Sequence, residues 1–257
     1  MNNDQKQSTL EQTRPRFKEI VEKNFLMDTD VYVSTKQLSA EEAIGTPERK
    51  DFPIIIGKEH VIEANVLGAK GHAYTDSPRA YRGVLEDVLD LPFIKNQDRA
   101  IYTATLNAVL NHLDIVKTTV HCKDEDPEKC ALEIAKFILD NHGQIKVGLI
   151  GLNPAIAERL VDTFGNENVR ITDLYEANIG EIRFGVEIWD GSHRTEDLVK
   201  FSDLVLLTGT TLLNDSFDKI LNLVKAYQKK YLVYGVTTAG VSELTEIPRL
   251  CPYGRAE

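Results

Sequence analysis

The strongest constraint on this fold is the run Lys146-Val-Gly-Leu-Ile-Gly-Leu-Asn-Pro154, continued by periodic apolar residues to Leu160 and followed by Asn168-Val-Arg-Ile-Thr-Asp-Leu174. It spells a buried strand, a glycine turn, a helix and a second strand ending in an acid. That is the opening unit of a nucleotide-binding α/β domain. The alternation then continues. Residues 145–150, 169–172, 204–207 and 231–234 read as strands, with a short extended piece at 185–189. Residues 154–164, 194–200 and 217–229 read as helices. Such a pattern predicts a parallel sheet with helices on both faces. The dinucleotide fingerprint itself is incomplete. Gly148 falls within the strand, Gly151 alone serves the turn, and Asn153-Pro154 replaces the glycines that would follow.

The first half has a different rhythm. Phe17, Ile20, Val21 and Phe25 lie at helical spacing within residues 11–26. Residues 30–35, 52–56, 61–67 and 71–75 read as short strands, with Gly57 and Gly68 between them. Helices are predicted at 81–89 and 98–113. The fold class is therefore α/β: an N-terminal α+β domain, built as an antiparallel meander with helices, and a C-terminal Rossmann-like parallel-sheet domain. The polar stretch 117–127 reads as the connection, which divides the chain into domains at 1–117 and 118–257. Pro127 then starts a helix at 128–141 that Gly143 ends.

Composition narrows the partners. Thirty basic and 40 acidic residues give a net charge of -10, which argues against a nucleic-acid partner because such binders need a cationic face. No run approaches the ~20 apolar residues of a membrane span. The polar start lacks the apolar core of a signal peptide. Three cysteines do not make a disulfide framework, so the expected setting is a reducing cytoplasm. A second copy of the chain is a further candidate partner.

In a parallel sheet the strand ends share one edge, and four of them carry polar or glycine-rich loops. These are Gly151-Leu-Asn153-Pro, Asp173, Thr208-Gly209-Thr210-Thr211 with Asn214, and Gly235-Val-Thr237-Thr238-Ala-Gly240. Small residues let a ligand approach the backbone, while threonine and asparagine supply donors and acceptors. Helix N-termini favour an anion. Any one loop alone reads better as turns and caps, and it is the convergence of four that suggests a ligand site. Asp173 stands where dinucleotide domains hold a ribose hydroxyl, although a helix cap or turn is an equal reading. His121, Cys122 and Cys130, with Asp124, Glu125 and Asp126 between them, offer soft ligands to a transition metal. Their spacing fits no Cys-x-x-Cys pattern, and Cys130 also reads as a buried thiol opening an amphipathic helix. Cys251 reads as packing, and His60, His72 and His193 lie at separate turns. The sequence contains no Gly-x-Ser-x-Gly elbow, Walker loop or His-Glu-x-x-His helix.

Taken together, Gly57-Lys-Glu-His, Thr103-Ala-Thr-Leu-Asn107-Ala, Gly148-Leu-Ile-Gly151, Ile171-Thr-Asp173, Thr208-Gly-Thr-Thr-Leu-Leu-Asn214 and Gly235-Val-Thr-Thr-Ala-Gly240 resemble the "putative heavy-metal chelation" family, formerly a domain of unknown function. The resemblance implies an N-terminal domain similar to that of enolases, a Rossmann-like C-terminal domain and a site in the cleft between them. It implies that Asn107 faces the cleft from one side. Gly151, Asn153, Thr208, Gly209, Thr210, Asn214 and Thr238 would face it from the sheet edge. Enolase chemistry does not follow, because this chain has no barrel to carry its carboxylates. The expected function is the binding of a small metal-bearing or anionic ligand in that cleft. The alternative is an enzyme that uses NAD or S-adenosylmethionine.

Overall fold

The computed structural model describes residues 7–34, 39–57 and 59–257. The polar start at 1–6, Thr35 of the first expected strand and Lys58 of the Gly57-Lys-Glu-His segment lie outside the described residues.

The chain opens with α1 (Thr9–Lys23), whose first turn is capped by the Ser8 hydroxyl and which buries Leu10, Phe17 and Val21. Then follow β1 (Asp30–Val33), α2 (Ala40–Ile44), β2 (His60–Val66), β3 (Ala69–Thr75) and β4 (Tyr81–Val84). These four strands form an antiparallel sheet in the order β3-β2-β1-β4. Next come α3 (Leu85–Leu89) and α4 (Asn96–His112). Helix α4 is buried from Asp98 through Asn111. It lies on β2 and β3 on one side and touches α9, introduced below, on another.

The second half runs α5 (Asp126–His142), β5 (Val147–Ile150), α6 (Pro154–Phe164), β6 (Val169–Asp173), β7 (Ile182–Arg183), β8 (Val186–Asp190), α7 (Gly191–Phe201), β9 (Leu204–Thr208), α8 (Phe217–Ala226), β10 (Lys230–Tyr234), α9 (Ala239–Thr245) and β11 (Arg249–Leu250). The sheet order is β11-β10-β9-β5-β6-β8-β7, parallel throughout except for the edge strand β7. Counted from β5, the parallel strands stand in the 3-2-1-4-5-6 order of a doubly wound sheet. The order reverses between β5 and β9. The loops after those two strands therefore splay apart and open a crevice at the carboxyl edge.

The two sheets are not independently packed. One apolar cluster joins α1, the antiparallel sheet and α4 to α7, α8 and one face of the parallel sheet. The other covers the opposite face with α5 and α6, and it also takes Ala43, Ile44, Phe52, Ile54 and Val61 from the first half. This explains one departure from the sequence reading. Residues 52–56 form a turn rather than a strand, with the Ile55 and Ile56 amides both donating to the Phe52 carbonyl. The apolar run there serves burial: Phe52 and Ile54 plug the second cluster. Residues 81–84 are likewise a strand, paired with β1, and helix begins only at Leu85. Helix α9 begins directly after Thr238, within a stretch that reads as loop. No helix among the described residues is long and apolar enough to cross a membrane.

Candidate functional site

A cavity of about 750 Å³ opens at the switch point of the parallel sheet. Its lining comes from the ends of β5, β6, β9 and β10, the 52–59 segment, the end of β3, the segment 121–130 and Cys251.

The sheet-edge wall is built by local chemistry. Gly151 has φ +87, and a Cβ there would stand 2.5 Å from Cγ2 of Thr208, so glycine is needed for both conformation and contact. Its amide donates to the Thr172 carbonyl at 2.9 Å. Asn153 caps α6 by accepting from the Ile156 amide, and Pro154 follows at the start of the helix. Asp173 accepts from the Leu152 amide at 2.8 Å and from the Tyr175 amide at 2.7 Å. Beside it, Thr172 is fully buried and lines the cavity, yet its hydroxyl has no hydrogen-bond partner among the described residues.

After β9, the Thr208 hydroxyl accepts from the Thr210 amide, Thr211 donates to the Thr208 carbonyl, and Gly209 packs against Thr237 and Thr238. Asn214 accepts from the amide and hydroxyl of Ser216. Tyr234 closes this wall by donating its hydroxyl to the Gly151 carbonyl at 3.1 Å, and burial pushes that phenol up. Gly151, Asn153, Asp173, Thr208, Gly209, Thr210, Thr211, Asn214 and Thr237 all line the cavity.

Two residues expected there do not. Asn107 is fully buried, and its amide donates to the carbonyls of His72 at 2.9 Å and Val236 at 3.1 Å while its oxygen accepts from the Gly240 amide at 2.7 Å. It is a strut that ties α4 and β3 to the loop before α9, with both of its amide hydrogens spent on backbone carbonyls. Thr238 is buried beneath that loop, with its hydroxyl turned toward the Gly235 carbonyl. Thr237 is part of the same junction, since its hydroxyl accepts from the Tyr74 amide at 3.1 Å.

Another part of the lining carries sulfur. His121, Cys122 and Cys130 all line the cavity, and Cys251 joins them. Burial pushes the His121 imidazole down to about 4. Its Nδ1 donates to the Cys122 carbonyl at 2.5 Å, which leaves Nε2 with a lone pair and no partner among the described residues. Burial raises Cys122 to about 12. Cys130 and Cys251 titrate as a coupled pair: the neighbouring thiol and burial drive Cys130 up, and the Cys130 thiol holds Cys251 below the usual thiol range. No sequence pattern pointed to Cys251. It reaches the wall through β11, which follows α9 and pairs with β10.

Residues 134–245 match the DUF364 family, described as "Putative heavy-metal chelation". The match covers less than half of the chain. Two solved structures of the family, both of unknown function, share the fold. One is from Pyrococcus horikoshii, with 13% identity, a TM-score of 0.55, and coverage of 90% of this chain and 80% of that one. The other is from Desulfitobacterium hafniense, with 12% identity, a TM-score of 0.53, and coverage of 91% and 82%. No curated protein matches the chain.

The description of the matched family invites a test of this chain's own donors. Three thiols and one neutral imidazole make a soft set, suited to a soft metal. Among the described residues, however, no three of His, Cys, Asp or Glu converge as a metal group. The expected His121, Cys122 and Cys130 trio is therefore not a preformed tetrahedral site of the kind zinc takes. The charged side chains of the lining are Glu59, Asp76, Asp173 and Glu196 against Lys219, so the cavity carries an excess of negative charge.

Proposed function

We propose that this chain binds a small, metal-bearing and net cationic molecule in the cleft between its two sheets. One observation carries the reading. Thr172, a buried residue of the cavity lining, has a hydroxyl without a hydrogen-bond partner among the described residues, and Asp173, the next residue of β6, lines the cavity as well. Burying a hydroxyl without a partner is costly, and a ligand that bonds to it recovers that cost. The acidic excess favours a cation over an anion, and the side chains of Phe52, Ile54, Tyr74, Leu152 and Tyr234 offer an apolar surface to its body.

The reading as an NAD or S-adenosylmethionine enzyme has one observation in its favour: an acid ends the second parallel strand of a doubly wound sheet. Against it stands the head of α6. The Gly151, Leu152 and Ile156 amides already donate to Thr172, Asp173 and Asn153. A pyrophosphate there would meet a carboxylate instead of free N–H groups.

Isothermal titration with substitution-inert cobalt(III) amine complexes of increasing size separates the two readings. The wild type should bind one complex, and Asp173→Asn should bind it at least about tenfold more weakly, or ~1.4 kcal/mol. Equal affinity in the two proteins, or binding of NAD or S-adenosylmethionine alone, would overturn the proposal.

A further inference from the structure

The outermost strand of the seven-stranded sheet is β7, joined to β8 by a tight hairpin. Phe184 and Gly185 make the turn with φ 54 and 75, the left-handed pair that a two-residue hairpin loop needs. The Ile188 amide donates to the Glu181 carbonyl at 2.9 Å, so Glu181 turns its carbonyl toward β8. Ladder positions alternate, and Ile182 therefore points its N–H and C=O away from β8, at the open edge. Ile182 is 72% exposed. Glu181 and Arg183 on either side of it are exposed too, and neither has an ion pair among the described residues. Space is open at the start of the strand, since a Cβ on Gly180 would meet nothing within 4 Å.

We infer that β7 is an interface between two copies of this chain, which pair edge to edge and antiparallel about a two-fold axis at Ile182. The order of charges along the strand carries the inference, independently of what the cleft binds. In an antiparallel pair centred on Ile182, residue 181 of one copy faces residue 183 of the other. Each Glu181 carboxylate then meets the Arg183 guanidinium of the second copy, and the two-fold makes two such pairs. Like charges at 181 and 183 would repel in the same register. The backbone favours that register as well. The N–H and C=O of Ile182 are the groups that face the open edge, so the central pair exchanges two hydrogen bonds. Positions 181 and 183 fall at the narrow sites of the new ladder, where facing Cβ atoms stand about 4.5–5.5 Å apart. Glu181 and Arg183 project to one face of the sheet and Ile182 to the other, so the two isoleucines cover each other on the face away from the ion pairs. Two seven-stranded sheets run on as one. The edge is short, and the net charge of -10 on each copy opposes association, so the dimer is weak and concentration-dependent.

Sedimentation equilibrium of the full chain from about 1 μM to about 1 mM, the range of a weak interface, tests the proposal. The wild type should pass reversibly from monomer to dimer. Glu181→Arg and Arg183→Glu should each weaken the dimer by at least about tenfold, although the first lowers the net negative charge and the second raises it. The double reversal, Glu181→Arg with Arg183→Glu, restores both ion pairs and should return the affinity to within about threefold of the wild type. In the wild type the Ile182 amide should exchange its hydrogen more slowly as concentration rises, a readout that needs no substitution. A wild type that stays monomeric throughout, or a dimer whose strength ignores the single reversals, overturns the proposal. So does a double reversal that remains as weak as the singles, or an Ile182 amide that exchanges at one rate at every concentration.

Discussion

The two walls of the cleft are made in opposite ways. The sheet-edge wall consists of short loops whose residues bond mostly to close neighbours: Asn153 to Ile156, Asp173 to Tyr175, Thr208 to Thr210, Asn214 to Ser216. The sulfur wall assembles residues from the segment before α5, from α5 itself and from the strand that ends the parallel sheet. The first is chemistry laid down by local sequence, and the second exists only once the whole domain has closed. The difference in donors follows. The lining includes oxygen and charge from the sheet-edge loops together with sulfur and a neutral imidazole, so one cleft offers hard and soft ligands at once.

The largest expected effect falls behind the walls, at Asn107, which ties α4 and β3 to the loop before α9. Asn107→Ala would leave the His72 and Val236 carbonyls and the Gly240 amide without their partner in a fully buried place. The expected loss is about 3 kcal/mol, since each orphaned buried group costs ~1–3 kcal/mol, and denaturant unfolding would measure it. Cobalt amine affinity per folded molecule should stay near that of the wild type. A stable variant with lost affinity would restore Asn107 to the ligand site.

Asn107 also shows what the sequence could and could not convey. The sequence reading gives α4 one apolar face, but the helix is buried on every side, and Thr103, Thr105 and Asn107 are internal. A polar residue at such a position looks like a ligand contact until its backbone partners are known. Those partners, on β3 and at the start of α9, come from distant parts of the chain. By contrast, β5, α6 and β6 were legible nearly to the residue, because the cap Asn153, the proline and the buried runs act locally. The run 52–56 was misread as a strand because periodicity cannot distinguish a buried turn from a buried strand. Cys251 was read as packing because its place in the cavity lining is set by the pairing of β11 with β10 and not by any spacing.

A smaller effect sharpens the description of the sulfur wall. The folded His121 imidazole is held neutral down to about 4, whereas the unfolded chain takes up that proton near 6.5. Below 6.5 the unfolded state therefore binds more protons, and stability falls as pH drops from about 6.5 to about 4, by no more than about 1.4 kcal/mol per pH unit from this residue. His121→Gln should flatten that part of the unfolding profile. An unchanged profile would mean that the imidazole is solvated, and the sulfur wall would then not be the dry, soft surface described.

The central claim is that the sheet-edge wall keeps a polar group unsatisfied for a ligand, and Thr172→Val tests it most directly. Valine preserves the shape and removes only the hydroxyl. The account predicts an unliganded protein as stable as the wild type or more stable by about 1 kcal/mol, because a buried unpaired group is gone. It predicts at the same time a weaker affinity for the cobalt amine complex. A variant that is less stable and binds the complex as tightly as the wild type would show that the hydroxyl serves the fold, and it would contradict the account.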